Sequence, residues 1–149
     1  MNIIIKSFSQ LNLEELYKIL QLRSEVFVVE QNCVYQDVDG KDMDAIHVLG
    51  FEDTDLVAYT RCFDAGNYFD KASIGRVIVK ENFRKYGYGH QIMEASVNEI
   101  KKRFNTGSIK LSAQQYLIRF YESHGFQQTG EGYLEDGIPH VAMIKEKFI

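Results

Sequence analysis

The chain carries Arg84-Lys85-Tyr86-Gly87-Tyr88-Gly89 between an apolar, strand-like segment and a helix-like run. The segment before it is Ile74-Gly75-Arg76-Val77-Ile78-Val79, and the run after it covers residues 90–103. Backbone amides in the first turn of a helix lack internal partners, and the helix dipole adds partial positive charge there. Glycines allow a ligand to approach the backbone closely. The arrangement therefore predicts a cradle for a phosphate or diphosphate group.

The bulk composition is that of one globular domain spanning residues 1–149, with 45% hydrophobic and 26% charged residues. A net charge of −4 offers no broad attraction to nucleic acid or to an anionic membrane surface. No apolar run approaches the roughly 20 residues that span a bilayer, and the first residues lack the basic flank of a signal peptide. We expect a cytoplasmic protein whose two cysteines, Cys33 and Cys62, form no disulfide framework.

Hydrophobic periodicity predicts a mixed α/β sheet with helices on its faces. Asn12 and Glu15 have the spacing of a capping box. The helix after them is predicted to bury one apolar stripe, formed by Leu13, Leu16, Tyr17, Leu20 and Phe27. We expect a loop over residues 30–43 and a helix end at residues 105–107. Strands are expected over residues 3–8, 46–51, 56–62, 74–79 and 109–113 and on both sides of Asp136-Gly137, and a short helix is expected through residues 117–124.

Two motifs give the chain a family resemblance. Arg84-x-x-Gly87-x-Gly89 resembles the acetyl-coenzyme A signature of the GNAT superfamily of acyltransferases, and residues 120–126, Phe-Tyr-Glu-Ser-His-Gly-Phe, resemble its second signature. They occur in the family's order, with a predicted helix and strand between them. The resemblance implies a GNAT-like mixed, mostly antiparallel sheet of about six to seven strands flanked by about four helices.

Two further segments are similar to the ElaA-like branch of that superfamily. They are residues 22–31, LRSEVFVVEQ, and residues 133–140, YLEDGIPH. Three positions depart from the common GNAT pattern: Lys85 replaces a frequent glycine, Asn82 a frequent proline and Gln114 a frequent asparagine. The departures are expected to alter contacts to the cofactor without abolishing its binding.

The resemblance implies transfer of an acetyl group from acetyl-coenzyme A to a primary amine. The acceptor, a small molecule or a peptide, is left open, as are a homodimer and a longer acyl group. A non-catalytic acyl-coenzyme A sensor and a nucleotide-binding protein are the alternatives. No metal is expected. The implied cofactor-binding residues are Val77, Ile78, Val79, Arg84, Lys85, Tyr86, Gly87, Tyr88, Gly89, His90, Gln114, Phe120 and Tyr121.

The chemistry requires a proton donor for the leaving thiolate and a base for the amine. By resemblance, Tyr121 is the donor, although its place on a helical stripe equally suits core packing. The family supplies no common base motif, so the candidates are Glu30, His47, Glu135, Asp136 and His140. Of these we take His47 and Glu30 as the predicted catalytic residues, with a hydrogen-bonded core histidine as the alternative for His47.

Three arginines, Arg23, Arg61 and Arg76, are expected to need carboxylate partners, since Arg61 and Arg76 interrupt apolar strand segments. The acidic stretch after residue 36 offers Asp37, Asp39, Asp42 and Asp44. Salt bridges are the first interpretation. Recognition of the acceptor is the second, and in that role we group Arg23 with Gln31 and His140. The acidic stretch lacks the spacing of a calcium loop.

Overall fold

The computed structural model describes residues 1–106 and 108–146 as a seven-stranded sheet with helices on both faces. The strands are β1 (Asn2–Ser7), β2 (Ile46–Glu52), β3 (Asp55–Phe63), β4 (Ala72–Val79), β5 (Ile109–Gln114), β6 (Gln127–Glu135) and β7 (Ile138–Lys145), in the order β1-β2-β3-β4-β5-β7-β6. All neighbours are antiparallel except β4 and β5. The predicted mixed, mostly antiparallel sheet is confirmed.

The helices are α1 (Leu13–Arg23), which continues as a π-helical segment (Ser24–Glu30), α2 (Tyr88–Phe104) and α3 (Ile118–Glu122). Short 3-10 turns cover Phe8–Gln10, Asp42–Asp44, Glu81–Tyr86 and Gln115–Leu117. The helical segment reaches Glu30, where the sequence predicted that the loop begins. Helix α2 starts two residues earlier than predicted, because Gly87 with φ +74° forms its N-cap.

The predicted capping box at the start of α1 is confirmed. The Asn12 side chain accepts from the Glu15 amide at 2.7 Å, and the Glu15 carboxylate accepts from the Asn12 amide at 2.9 Å. The predicted apolar stripe of α1 is wrong for Leu13 and Tyr17, which are exposed, and is confirmed for Phe27, which packs against the core. Ile19, Leu22 and Val26 face the sheet instead. Helix α2 ends at Asn105, which has a left-handed backbone, within the predicted range of residues 105–107. Gly107 lies outside the described residues.

Strands β4 and β5 pair over only two positions, Ala72 with Ile109 and Ser73 with Lys110. Beyond them β4 runs on to Val79 without a partner on its β5 side. A bulge in β4 marks the divergence: Arg76 has φ +50°, and the register with β3 shifts beside it. The divergence leaves backbone donors and acceptors of β4 unpaired on one edge, where a ligand can meet them.

The core forms two apolar layers, one on each side of the sheet. One layer packs α2 through Ile92, Met93 and Ile100, and the other packs α1 through Ile19 and Leu22. These layers fix α1 and α2 on opposite faces around the diverging strands. Within the described part of the chain, no helix combines the length and the apolar character needed to cross a membrane.

Candidate functional site

A cavity of about 410 Å³ opens where β4 and β5 diverge. It is bounded by the end of the π-helical segment, the start of α2, helix α3 and the β6–β7 turn. Many predicted site residues line it together: Glu30, Gln31, Val77, Ile78, Val79, Arg84, Gly87, Gly89, His90, Gln114, Phe120, Tyr121 and His140. Residues far apart in the sequence thus form one cleft.

The start of α2 has the form that the anion cradle requires. Gly87 adopts a left-handed conformation, and no side chain of a described residue caps the helix at this position. A Cβ atom on Gly89 would lie 3.3 Å from the Phe120 ring and 3.7 Å from a methyl group of Val79. Glycine therefore lets α2, β4 and α3 meet closely, with the first-turn amides of α2 at the cleft.

Arg84 and Glu30 form an ion pair at the mouth of the cleft. The guanidinium holds both carboxylate oxygens at 2.8 Å and also donates to the Val79 carbonyl at 2.9 Å. The hydrogen bond to Glu30 raises the pKa of Arg84 above its usual value. Both oxygens of Glu30 are thus engaged by Arg84, and the catalytic role of Glu30 stays a prediction.

Three residues predicted to bind the cofactor, Lys85, Tyr86 and Tyr88, do not line the cavity. The Tyr88 hydroxyl donates to Glu52, away from the cleft. Lys85 and Tyr86 are exposed, with the Lys85 ammonium 5.4 Å from the Tyr86 ring centre. The structure thus gives no support to cofactor contacts from these three side chains.

Tyr121 combines the two roles that the sequence left open. It is only 5% exposed and packs with Phe120 and Phe126 in the core, yet it also lines the cleft. Burial raises the pKa of Tyr121 well above its usual range. The phenol therefore stays protonated at neutral pH and can donate to a thiolate.

His47 does not reach the cleft, which corrects its predicted role as a base. Its side chain is fully buried, with Nε2 donating to the Asp42 carbonyl at 2.9 Å and Nδ1 accepting from the Tyr59 hydroxyl at 2.6 Å. Burial lowers the pKa of His47. Both ring nitrogens are occupied, so His47 is the hydrogen-bonded core histidine of the alternative interpretation.

Arg23 is also buried away from the cleft, which corrects its grouping with the acceptor-binding residues. Its Nε donates to Asp37 and its Nη1 to Asp42, at 2.8 and 2.6 Å. The predicted salt bridges are confirmed, except for Asp44, which has no part in them. We call the residues so paired the ion cluster: Arg23, Arg61, Arg76, Asp37, Asp39 and Asp42.

The ion cluster fastens the segment after Glu30 to the bulge of β4. Asp37 accepts from Arg23 through one carboxylate oxygen and from Arg76 through the other, each at 2.8 Å. Asp42 accepts from Arg23 and Arg61, and Asp39 binds Arg61 through both oxygens. Since Arg76 is both the bulge residue and part of the cleft wall, the cluster supports the local shape of the site.

We expect the ion cluster to make the protein sensitive to acid. Burial alone would raise the pKa of Asp39, but the hydrogen bond and charge of Arg61 outweigh it and hold that pKa at about 2. A carboxyl group whose pKa is lower in the folded state stabilises the fold above its unfolded value of about 3.9, and this stabilisation is lost as the pH falls further. The free energy of unfolding, measured with urea, should therefore drop between about pH 4 and pH 2.

In Asp39→Asn this acid-induced drop should be smaller than in the wild-type protein. Asp70→Asn, a change at an exposed aspartate outside the cluster, is the matched control and should show the wild-type drop. An unchanged pH dependence in Asp39→Asn would contradict the assignment.

The far end of the cleft carries a polar network that the sequence analysis did not assemble. His140 Nδ1 donates to the Ile138 carbonyl at 2.7 Å, and its Nε2 lies 3.4 Å from a Glu135 oxygen. Ser112 donates to the other Glu135 oxygen at 3.1 Å. No local pattern marks Ser112, since only the register of β5, β7 and β6 brings these residues together.

Across the cleft, two contacts fix the segment that follows the π-helical turn. The thiol of Cys33 lies 3.1 Å from the Asp136 carbonyl, and the Gln31 amide donates to Gln114 at 3.4 Å. They hold the predicted residues Gln31 and Gln114 against each other beside the β6–β7 turn. Among residues 1–106 and 108–146, no group of three or more histidine, cysteine or acidic side chains is placed to hold a metal ion.

Comparison with known proteins settles the family. The acetyltransferase (GNAT) domain family matches residues 8–147. The chain belongs to the GNAT acetyltransferase family. Members of this family transfer acyl groups from acyl-coenzyme A, so the coarse activity is acyl transfer. This GNAT chain has the strand order described above. Its cleft lies between the diverging strands β4 and β5 and the glycine-rich start of α2.

Relatives of this GNAT chain cover nearly its whole length. ElaA from Escherichia coli is 44% identical over 140 residues, 93% of this chain and 92% of ElaA. The ElaA crystal structure superposes with a TM-score of 0.91, 41% identity and coverage of 97% and 99% of the two chains. A crystal structure of an acyl-CoA N-acyltransferase from Pseudomonas aeruginosa gives the same TM-score, identity and coverage. The predicted resemblance to the ElaA-like branch is confirmed.

Proposed function

We propose that the chain transfers the acetyl group of acetyl-coenzyme A to a primary amine, of a small molecule or a peptide, by direct attack on the thioester. One observation carries the proposal: a single cleft joins the amide-rich start of α2 to the unpaired edge of β4 and opens at its far end on carboxylates and a histidine. The three parts suit a diphosphate, a pantetheine arm and a cationic amine, in that order.

The unpaired edge of β4 supplies the orienting contacts in this proposal. Backbone groups from Val77 to Val79 line the cleft and have no partner on β5. They can bind the amides of the pantetheine arm as a neighbouring strand would. A backbone N–H of the same stretch would stabilise the oxyanion that forms when the amine attacks the thioester carbonyl. Tyr121 would then protonate the thiolate.

The direct test is a screen of primary amines with acetyl-coenzyme A that measures released thiol. We expect at least one amine class to give turnover, with the acetylated amine identified by mass spectrometry. Coenzyme A should also raise the melting temperature, by an amount equivalent to about 2.7 kcal/mol at 100 times its dissociation constant, whereas ATP and NAD should not. Stabilisation by coenzyme A without thiol release from any amine would favour the sensor instead.

Tyr121→Phe should lower kcat by about 100-fold, the lower end of what a positioned proton donor contributes, and leave coenzyme A affinity unchanged. The ring keeps its packing against Phe120 and Phe126, so only the hydroxyl is lost. Steady-state kinetics with a good acceptor and calorimetry with coenzyme A separate the two quantities. Tyr116→Phe, an exposed tyrosine at the rim of the same cleft, is the comparison variant. Full turnover by Tyr121→Phe would remove the hydroxyl from the mechanism.

A further inference from the structure

We propose that Glu135 and His140 together form the base that takes the first proton from the acceptor ammonium. The proposal rests on the proposed function, because it concerns the acceptor end of the same cleft. Both residues line that cleft, on the two strands that flank the β6–β7 turn. Neither was assigned as the base from the sequence, which favoured Glu30 and His47.

The hydrogen bonds of His140 fix which nitrogen can accept a proton. Its Nδ1 lies 2.7 Å from the Ile138 carbonyl oxygen, which can only accept, so Nδ1 carries the hydrogen in the neutral ring. The lone pair is therefore on Nε2, which lies 3.4 Å from the Glu135 carboxylate. When Nε2 gains a proton, the neighbouring carboxylate stabilises the imidazolium, as an acid does beside a catalytic histidine.

Other contacts hold the pair in place. The Ser112 hydroxyl donates to the second Glu135 oxygen at 3.1 Å and is itself bonded to the Tyr133 hydroxyl. The Tyr133 ring stacks on His140 with centres 6.2 Å apart, and the Gln115 amide donates to the His140 carbonyl at 3.3 Å. The titratable groups around the pair thus include Tyr133 on β6 and Asp136 in the turn, with Cys33 and Tyr35 near Asp136 in the same cleft.

The exposure of the two residues suits a base that must pass protons to water. His140 is 5% exposed, whereas the Glu135 side chain is 46% exposed. A proton accepted inside the cleft can therefore leave through Glu135. By contrast, Glu30, another carboxylate in the cleft, has both oxygens bound to Arg84. An acceptor ammonium that approached Glu30 would therefore meet the like charge of the Arg84 guanidinium.

The proposed step balances as follows. An acceptor ammonium gives one proton to the pair, which passes it to solvent, and the nitrogen lone pair then forms a bond to the thioester carbonyl carbon. The carbon–sulfur bond breaks with its electron pair on sulfur. Tyr121 donates its hydroxyl proton to the thiolate sulfur, which gives the free thiol. The amine nitrogen releases a second proton as it becomes an amide, and this proton replaces the one that Tyr121 gave up. The products are the acetylated amine, free coenzyme A and one proton in solution.

The test compares Glu135→Gln and His140→Gln with wild type on two kinds of acceptor. One is the alkylamine that the screen finds best, which is an ammonium at neutral pH. The other is an amine that is already neutral, such as an aniline or hydroxylamine. Glu131→Gln, the same change at an exposed residue of β6 outside the cleft, is the matched control. The pH dependence of kcat/KM and the melting shift with coenzyme A are recorded for every variant.

We expect both cleft variants to lose about 100-fold in kcat/KM for the alkylamine and to keep wild-type rates with the neutral amine. His140→Gln should also lose the acidic limb of the pH profile, because it lacks the imidazole that accepts the proton, whereas Glu135→Gln should retain a limb. The coenzyme A melting shift should be unchanged, and Glu131→Gln should match wild type throughout. Wild-type alkylamine rates in either variant, or an equal loss with both amines, would overturn the proposal. A wild-type protein that acetylates no amine would instead refute the proposed function, and this proposal with it.

Discussion

Asp42→Ala is expected to lower the free energy of unfolding by about 3–5 kcal/mol, the cost of removing one partner from a buried ion pair. Asp42 is 7% exposed and accepts from two arginines, Arg23 at 2.6 Å and Arg61 at 3.0 Å. Both guanidiniums are buried, so the substitution leaves two charges short of a partner without access to water. The loss should exceed that of any surface change by several-fold.

Urea unfolding followed by circular dichroism measures this loss. Asp44→Ala is the matched control, since Asp44 lies two residues away in the same 3-10 turn, is exposed and takes no part in the ion cluster. It should change stability by no more than about 0.5 kcal/mol. Similar losses in the two variants would mean that the cluster is not a buried network and that something else fastens the segment after Glu30.

Gly89→Val is expected to weaken coenzyme A binding by about 100-fold or more, equivalent to roughly 2.7 kcal/mol. The new Cβ would lie 3.3 Å from the Phe120 ring, and the valine methyl groups would add further bulk at this junction. Overpacking of this kind costs about 1–3 kcal/mol and moves the backbone. The displaced part is the start of α2, where the diphosphate is proposed to bind, so affinity falls together with stability.

Calorimetry with coenzyme A measures the affinity, and thermal unfolding of the free protein shows whether the fold persists. Asn98→Val places the same β-branched residue on an exposed position of α2 and controls for lost helix propensity. It should bind coenzyme A as the wild type does. A folded Gly89→Val protein with wild-type affinity would show that the contact between α2 and α3 does not shape the cofactor site.

The sequence was sufficient for features that depend on local pattern. When a strand is followed by a turn that contains Gly87 and Gly89 and then by an amphipathic helix, the amides at the start of the helix are left exposed. The need of Arg23, Arg61 and Arg76 for carboxylates was likewise readable, because an ionised group in an apolar segment requires a partner.

Features that depend on tertiary geometry could not be read in the same way. Periodicity cannot show whether a strand histidine such as His47 lies in a cleft or under a loop. It also placed Leu13 and Tyr17 on the buried stripe of α1, where the sheet instead packs Ile19, Leu22 and Val26. The pairing of Glu135 with His140 depends on the register of β6 with β7, and the cleft itself depends on β4 and β5 diverging after two paired residues. These distances are set by packing across the sheet.

A crystal structure of the protein with acetyl-coenzyme A tests the account most directly. We expect the diphosphate oxygens to accept hydrogen bonds from backbone amides within residues 87–90 and the thioester to lie beside β4 near Val77. The acetyl group should point toward the end of the cleft that holds Glu135 and His140. A cofactor whose diphosphate lies away from the start of α2, with those amides bound to neighbouring carbonyls, would contradict the account.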